Sequence, residues 1–223
     1  MAGRTLAIGD IHGCDVAFTT LLRALSIAHD DTVVVLGDAI DRGPGSKQVV
    51  DRLLQLAREC RLVFILGNHE EMLLDSFTED VVRQGWLQYG GAETLASYGG
   101  EAEDIPHEHL EFFRSAVSFL ETDRDIFVHA NLEPGVPLDR QQAEWLRWTH
   151  LTGYEAPFAT GKRVVCGHTP LKSGYPLAMP GWACIDTHAC GKNGWLTCLD
   201  VATNDFCQAN QAGALRFGTL ESV

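Results

Sequence analysis

The chain has 223 residues, of which 45% are apolar, and this is enough to bury the core of a single α/β domain. Its 30 acidic and 17 basic residues give a formal charge of −13, which argues against a nucleic-acid or membrane partner. The 7 cysteines include no Cys-x-x-Cys pair, so neither a disulfide framework nor a thiolate zinc site is indicated. A first strand that begins at Thr5 leaves no room for a signal peptide, and we expect a cytoplasmic protein.

The first third of the chain alternates β-branched runs with amphipathic stretches, which is the pattern of parallel βαβ units. Apolar spacing predicts strands at Thr5–Ile8, Thr32–Leu36 and Leu62–Leu66, and helices between them at Asp15–Ile27 and Ser46–Glu59. Ser46 follows a Gly-Pro-Gly turn, so we expect it to cap the second helix.

Residues 71–124 have a different pattern, with helical segments separated by glycines. We predict that they form a small helical lid, inserted in the domain at about 71–124 and lying over the functional site, where it would select the substrate. The aromatic residues Trp86, Tyr89 and Tyr98 are candidates for stacking on a base or an aryl group, and core packing is the competing interpretation.

The rest of the chain returns to short strands with many turns. We expect these strands at Ile126–Val128, Arg163–Cys166, Trp182–Ile185, Trp195–Val201 and Leu215–Leu220. A second, mixed or antiparallel sheet packed on the first would explain this change of pattern. The predicted fold is therefore α/β, a four-layer αββα sandwich of two mixed sheets flanked by helices, with residues 1–223 in one domain.

Polar segments follow five of the predicted strands, at the sheet edge where α/β folds place their sites. The potential metal ligands in these segments are Asp10, His12, Asp38, Asn68, His129 and His168. Asp10 and His12 are two residues apart and can face one cation, and Asp38 could bridge two cations about 3.5–4 Å apart. Imidazole, amide and carboxylate ligands predict two divalent ions, with manganese the first choice and iron or zinc as alternatives. Glycines beside the ligands would let the backbone turn sharply.

The order of the motifs Gly-Asp-x-His-Gly, Gly-Asp-x-x-Asp-Arg-Gly, Gly-Asn-His-Glu, His-Ala and Gly-His resembles that of the calcineurin-like metallophosphoesterase superfamily. The ending Asp41-Arg42-Gly43 resembles the phosphoprotein phosphatase branch, which includes serine/threonine phosphatases, the bacteriophage lambda phosphatase and bacterial diadenosine tetraphosphatases. This resemblance implies one metal on Asp10, His12 and Asp38, and a second on Asp38, Asn68, His129 and His168.

The resemblance also implies catalytic roles. His69 would donate a proton to the leaving group, Asp41 would orient its imidazole, and Arg42 would bind the phosphate oxygens. A hydroxide that bridges the two metals would attack phosphorus directly. Relatives usually supply a second arginine after His-Ala, for which Arg147 is the best candidate and Arg163 a weaker rival; a solvent-facing helix residue is the competing interpretation of Arg147.

Two positions depart from the pattern of relatives. Asn131 stands where relatives have glycine after His-Ala, and we expect the turn to survive because asparagine tolerates left-handed backbone angles. His188 follows Asp-Thr where bacterial relatives have glycine; it could contact substrate or a metal, and a surface loop residue is the competing interpretation. Cys14 is interpreted as structural, because Thr20 stands where a Cys-x5-Arg phosphate loop would need arginine.

The first functional prediction is a phosphatase that acts on phosphoserine or phosphothreonine in proteins, or on small phosphate esters. The alternative is a dinucleoside polyphosphate hydrolase, which would use the same metals on diadenosine tetraphosphate. The predicted lid has only three basic residues, Arg83, Arg114 and Arg124, and this favours the monoester. An inactive binding scaffold is a third hypothesis, which the complete ligand set and His69 argue against.

Overall fold

The structure, a computed structural model, describes residues 3–221. Its strands in chain order are β1 (Thr5–Ile8), β2 (Thr32–Val35), β3 (Arg61–Phe64), β4 (Phe119–Glu121), β5 (Asp125–Val128), β6 (Arg163–Cys166), β7 (Leu177–Met179), β8 (Trp182–Cys184), β9 (Leu196–Asp200), β10 (Asp205–Ala209) and β11 (Leu215–Thr219). Its α-helices are α1 (Asp15–Leu25), α2 (Ser46–Glu59), α3 (Asn68–Asp75), α4 (Asp80–Trp86), α5 (Ala92–Tyr98), α6 (His107–Arg114) and α7 (Ala143–Arg147). Within residues 3–221, none of these helices has the length and apolar character needed to cross a bilayer.

The strands form two mixed sheets. The first has the order β11-β10-β9-β1-β2-β3, and the second has the order β4-β5-β6-β8-β7. Strands β1, β2 and β3 are parallel, as are β5, β6 and β8, so each sheet has a parallel centre. The carboxyl ends of β1, β2, β3, β5 and β6 lead into the five polar segments identified in the sequence.

The two sheets pack face to face over a buried apolar layer that includes Val34, Leu36, Phe127 and Val165. Helices α1 and α2 cover the outer face of the first sheet, because their apolar residues recur at helical spacing. Helix α7 and the loops around it cover the second sheet through Leu146. The predicted four-layer αββα arrangement of two mixed sheets is confirmed.

The sheet assignment of the last strands was wrong. The segments predicted at Trp195–Val201 and Leu215–Leu220 are β9 and β11, and they extend the first sheet instead of building the second. Strand β9 lies antiparallel to β1, with Ile8 opposite Cys198. The sequence also did not reveal β4, β7 or β10. The pairing of β9 with β1 joins opposite ends of the chain, so the local sequence does not indicate which sheet β9, β10 and β11 extend.

The predicted cap of α2 was also wrong. Gly45 precedes the helix, and Ser46 is its first residue. The Ser46 hydroxyl accepts a hydrogen bond from the backbone N–H of Asp41 instead of capping its own helix. Ser46 therefore stabilises the loop after β2, which carries candidate site residues.

The segment at 71–124 contains α4, α5 and α6, most of α3, and strand β4 of the second sheet. Trp86, Leu95 and Phe113 are buried in the same apolar cluster as α2, so this segment is packed on the first sheet. Gly90 brings the segment to the site, since its carbonyl accepts a hydrogen bond from the backbone N–H of Arg42. The role of residues 71–124 as a substrate-selecting lid stays a prediction.

Candidate metal centre

The loops after β1 and β2 are joined by backbone hydrogen bonds. The backbone carbonyl of Asp38 accepts from the N–H groups of Ile11 and His12, at 3.0 and 2.8 Å. The carboxylate of Glu70, in the first turn of α3 after β3, accepts from the N–H groups of Asp38 and Ala39, at 2.9 and 2.8 Å. These contacts fix the two loops and the start of α3 relative to one another before any ligand binds.

One cluster of candidate ligands lies between the two sheets. The Nε2 atom of His129 is 3.0 Å from Asn68 Oδ1 and 3.2 Å from His168 Nδ1. The carboxylate Oδ1 of Asp38 lies 3.5 Å from the same His129 nitrogen. Asp38, Asn68, His129 and His168 are therefore brought together as the sequence predicts, with their donor atoms facing one another.

The other side of Asp38 faces a second set of residues. Asp38 Oδ2 is 3.6 Å from His12 Nε2 and 3.9 Å from His69 Nε2. Asp10 is buried next to the first cluster, and its carboxylate accepts from the backbone N–H of His168 at 3.1 Å. Asp38 thus lies between the two groups, in the position that a shared ligand requires.

In each candidate histidine ligand, the hydrogen bonds of the ring leave one unprotonated nitrogen directed at the site. His12 and His129 donate through Nδ1 to the backbone carbonyls of Ile40 and Leu36, so Nε2 is the acceptor in both. His168 has the opposite arrangement, because its Nε2 donates to the carbonyl of Trp148 and its Nδ1 faces Asn68. Such bonds fix the tautomer of a metal-binding histidine.

The charges of the cluster fit divalent cations. Asp10, Asp38 and Asp186 are buried near one another. Burial, and then the negative charges of Asp186 and Asp38, raise the pKa of Asp10 well above its ordinary value. Burial also raises the pKa of Asp186 to about 6. Bound cations would relieve both the desolvation and the repulsion, and the mixed nitrogen and oxygen donors suit manganese, iron or zinc.

The guanidinium of Arg42 lies over this site. It donates from Nη1 to His12 Nε2 at 2.8 Å and from Nη2 to His69 Nε2 at 2.9 Å. A cation bound at His12 would replace the first of these contacts and would free the guanidinium for an anion. Arg42 is therefore placed where a planar, bidentate group can hold a phosphate beside the candidate metal ligands.

Two glycines make room for the buried carboxylates. A Cβ atom at Gly67 would overlap Asp38 Oδ1, and one at Gly167 would overlap Asp10 Oδ1. Neither glycine has a positive φ. The sequence predicted that glycines would allow sharp turns, but at these two positions the requirement is space for a ligand side chain.

His69 and Asp41 form a buried pair. His69 Nδ1 donates to Asp41 Oδ2 at 2.6 Å, which leaves Nε2 facing Asp38 and Arg42. Burial would lower the pKa of His69, but the carboxylates of Asp38 and Asp41 raise it above its ordinary value. The Nδ1 proton is thus held on Asp41, and Nε2 is the nitrogen directed at the site; it carries a proton there only in the imidazolium form, which the raised pKa favours.

Two residues of the 71–124 segment also bind Asp41, and the sequence did not reveal their role. Trp86 Nε1 donates to Asp41 Oδ2 at 2.9 Å, and Thr94 Oγ1 donates to Asp41 Oδ1 at 2.6 Å. Both residues are completely buried. With His69, they give this carboxylate three side-chain donors. We infer that Trp86 and Thr94 are positioning residues, which act on the site only through Asp41.

Replacing Thr94 by valine should therefore weaken the orientation of His69. Valine has nearly the same shape but lacks the hydroxyl, so we expect turnover of alkyl phosphates to fall about tenfold. Turnover of p-nitrophenyl phosphate should fall less, because its leaving group is better. Bound metal should be unchanged. Thr94→Ser keeps the hydroxyl and is the matched control. An equal loss with both substrates, or with both variants, would show a general structural defect instead.

The candidate second arginine, Arg147, is held by an acidic residue. Its Nε atom donates to Glu71 Oε1 at 2.9 Å, and Trp148 Nε1 binds the other oxygen of the same carboxylate. Arg163 lies at the amino end of β6, away from the site, where it pairs with Asp125. A phosphate-binding role for Arg147 stays a prediction.

The departures from the family pattern have local explanations. Asn131 does not have a left-handed backbone, so its expected tolerance of such angles is not needed. Its side chain instead accepts from Leu132 N–H and donates to the carbonyl of His150. His188 does adopt a left-handed conformation, with φ of 59°, and its N–H donates to Asp186. Cys14 is buried, and burial raises the pKa of its thiol to about 12.

A cavity of about 370 Å³ opens above the candidate ligands. Its walls include Asp38, Arg42, His69 and His168, together with Tyr89 from the 71–124 segment. Tyr89 is 62% exposed, whereas Trp86 is buried and the buried Tyr98 hydroxyl bonds to His109. Of the three aromatic residues singled out in this segment, Tyr89 alone is therefore placed to stack on a substrate.

Comparisons with known proteins identify the family of this chain. The family model described as calcineurin-like phosphoesterase matches residues 3–179. The bis(5'-nucleosyl)-tetraphosphatase PrpE (asymmetrical) of Anoxybacillus flavithermus is 26% identical over 221 residues, which cover 86% of this chain and 88% of the relative. Serine/threonine-protein phosphatase 1 of Salmonella typhimurium is 36% identical over 105 residues, covering 44% of this chain and 45% of the relative.

Among solved structures, the cold-active protein-tyrosine phosphatase of a psychrophilic Shewanella has the same fold. It superposes with a TM-score of 0.69 at 17% identity, and the match covers 97% of this chain and 80% of that one. At this level of identity the likeness concerns the fold alone. The family match over most of the sequence, on a fold of two mixed sheets with clustered candidate ligands, shows that this chain belongs to the calcineurin-like phosphoesterase family.

Proposed function

We propose that this protein hydrolyses dinucleoside tetraphosphates by cleaving a phosphoanhydride bond at the candidate metal centre. The observation that carries the proposal is the extent of similarity: the tetraphosphatase PrpE aligns over 86% of this chain, whereas the serine/threonine phosphatase aligns over 44%. The proposal thus takes up the alternative that the sequence left open. Phosphoserine or phosphothreonine hydrolysis becomes the second candidate.

The acidic composition does not contradict a polyphosphate substrate. Arg42 lies at the site, and two bound divalent cations would add positive charge beside it. The cavity above the ligands, at about 370 Å³, falls in the size range of small-molecule sites. The small number of basic residues at 71–124 therefore does not decide between the substrates, because Arg42 and the bound cations would supply the positive charge that a phosphate chain needs.

The proposed roles combine the ligand sets that the family resemblance implies with the contacts of Arg42, His69 and Asp41. Asp10, His12 and Asp38 would hold one cation, and Asp38, Asn68, His129 and His168 would hold the other. When bound, the cations would activate the attacking water and stabilise charge on the phosphate. Arg42 would bind the phosphate oxygens through its two outer nitrogens, and His69 would give a proton to the leaving oxygen from Nε2. Asp41 would keep the Nδ1–H of His69 in place during this transfer.

The test compares two substrate classes under one condition. With manganese supplied, we expect kcat/KM for diadenosine tetraphosphate to exceed that for a panel of phosphoserine and phosphothreonine peptides by about tenfold or more. The similarity to serine/threonine-protein phosphatase 1 supports the second candidate, hydrolysis of phosphoserine or phosphothreonine. A clear preference for any phosphopeptide would reject the proposed function in favour of that candidate.

A further inference from the structure

A second cavity, of about 400 Å³, adjoins the cavity above the metal ligands. The two cavities share His150, which forms part of both walls. The ring of His150 stacks on that of His168, with centroids 4.4 Å apart and an angle of 18° between the planes. A group bound in the second cavity would therefore lie one aromatic side chain away from a candidate metal ligand.

The walls of this second cavity are mainly apolar and aromatic. They include Trp145, Tyr154, Phe158 and Trp182. Among the described residues that form these walls there is no lysine or arginine, and Glu155 is the one acidic residue. A phosphate group would be repelled by Glu155 and would find no cationic side chain there. The second cavity thus suits an uncharged, flat group, while the charged part of the same molecule stays beside Arg42.

Specific hydrogen bonds hold the second cavity open in its present form. Trp182 Nε1 donates to the carbonyl of Ala156 at 3.0 Å, which fixes the outer loop to β8. Asn131 Nδ2 donates to the carbonyl of His150, which fixes the loop that separates the two cavities. A site whose walls are tied to the sheet in this way loses little entropy when it is filled.

From these observations we infer that the second cavity binds one nucleoside of the substrate, with the base among its aromatic residues and the attached phosphate directed past His150 to the metal centre. Glu155 accepts hydrogen bonds from Thr152 and Gly153 and retains acceptor capacity for an exocyclic amine of a base. This inference rests on the proposed function in its choice of a nucleoside. It goes beyond it by assigning the residues that would recognise that nucleoside.

The experiment measures inhibition of p-nitrophenyl phosphate hydrolysis, so it does not depend on whether diadenosine tetraphosphate is a substrate. Adenosine 5'-monophosphate and ribose 5-phosphate carry the same phosphate on ribose and differ by the base. We expect the monophosphate with the base to inhibit with a Ki about tenfold lower, as base stacking on aromatic side chains predicts. Equal inhibition by the two compounds would overturn the nucleoside assignment and leave the proposed function standing.

Two variants locate the effect. Ala159→Trp places a large side chain on the wall of the second cavity, and Tyr154→Ala removes an aromatic residue that is 93% exposed. In both, the ratio of the two Ki values should fall towards one. Phe217→Ala is the matched control, because Phe217 is 70% exposed and lies on β11, outside both cavities.

Each remaining outcome has a clear meaning. A base preference that persists in both Ala159→Trp and Tyr154→Ala would place the base elsewhere and would overturn the inference. A phosphotyrosine peptide that inhibits more strongly than adenosine 5'-monophosphate would assign the second cavity to a peptide aromatic residue and would also overturn it. Loss of the preference in these two variants, with its retention in Phe217→Ala, supports the nucleoside site.

Discussion

Replacing Asp38 by asparagine is expected to abolish both the pairing of metals and the hydrolytic activity. Asp38 Oδ1 faces His129 and Oδ2 faces His12, so one side chain connects the two groups of candidate ligands. An amide offers one neutral oxygen and cannot serve two cations equally. We expect bound manganese to fall from two equivalents towards one or none, and turnover to fall by about a thousandfold or more.

Metal analysis of the purified variant, together with turnover of p-nitrophenyl phosphate, checks this expectation. Asp139→Asn is the control, since Asp139 is an exposed residue on a short helical turn outside the site. It makes the same change of charge without touching a ligand. Asp38→Asn protein that still binds two equivalents of manganese and turns over normally would refute the shared-ligand role.

Replacing His69 by asparagine is expected to separate metal binding from proton transfer. His69 is held by Asp41 and is not needed by either proposed set of ligands, so the variant should keep its metals. Loss of a general acid costs about 10²- to 10⁴-fold when the leaving group is poor. We expect alkyl phosphates to show this loss, and p-nitrophenyl phosphate to be affected much less because its leaving group needs no proton.

The measurement is kcat for a series of phosphate esters whose leaving groups differ in pKa, with metal content determined in parallel. His107→Asn is the matched control, because His107 is exposed on α6. Unchanged alkyl phosphate turnover in His69→Asn would show that the general-acid assignment is wrong. A loss of bound metal would instead identify His69 as a ligand. Metal content is measured because His69 Nε2 lies 3.9 Å from Asp38 Oδ2.

The candidate ligands could be recognised from the sequence because each lies in a short motif at the end of a strand. Asp10 and Asp38, for example, directly follow Gly9 and Gly37, which in turn follow apolar runs, and parallel strands bring such ends to one edge. The fold class followed from the same alternation of strands and helices. Local pattern was sufficient here because both the strand and its ligand are encoded within a few residues.

The contacts that hold the site residues in place could not be predicted from the sequence in this way. Thr94 lies 53 residues from Asp41 in the chain, and nothing in its own segment distinguishes it from a solvent-facing helix residue. The pairing of Arg147 with Glu71 likewise spans 76 residues. The two cavities also form only through tertiary packing. His150, which lies in the walls of both, is outside the sequence motifs. Such long-range contacts leave no periodic trace in a single sequence.

The backbone at the site has a consequence for the stability of the whole protein. Asp38, Asp41, Arg42 and His168 all have positive φ values, of 49°, 72°, 67° and 60°. Each such residue costs on the order of 1 kcal/mol relative to an ordinary conformation. Natural domains have a narrow margin of stability, so this strain has to be offset by the apolar layers that the two sheets and their helices bury. A search for more thermostable variants would therefore tend to select against these residues, and stability gained at this edge of the sheets would come at the expense of phosphate chemistry.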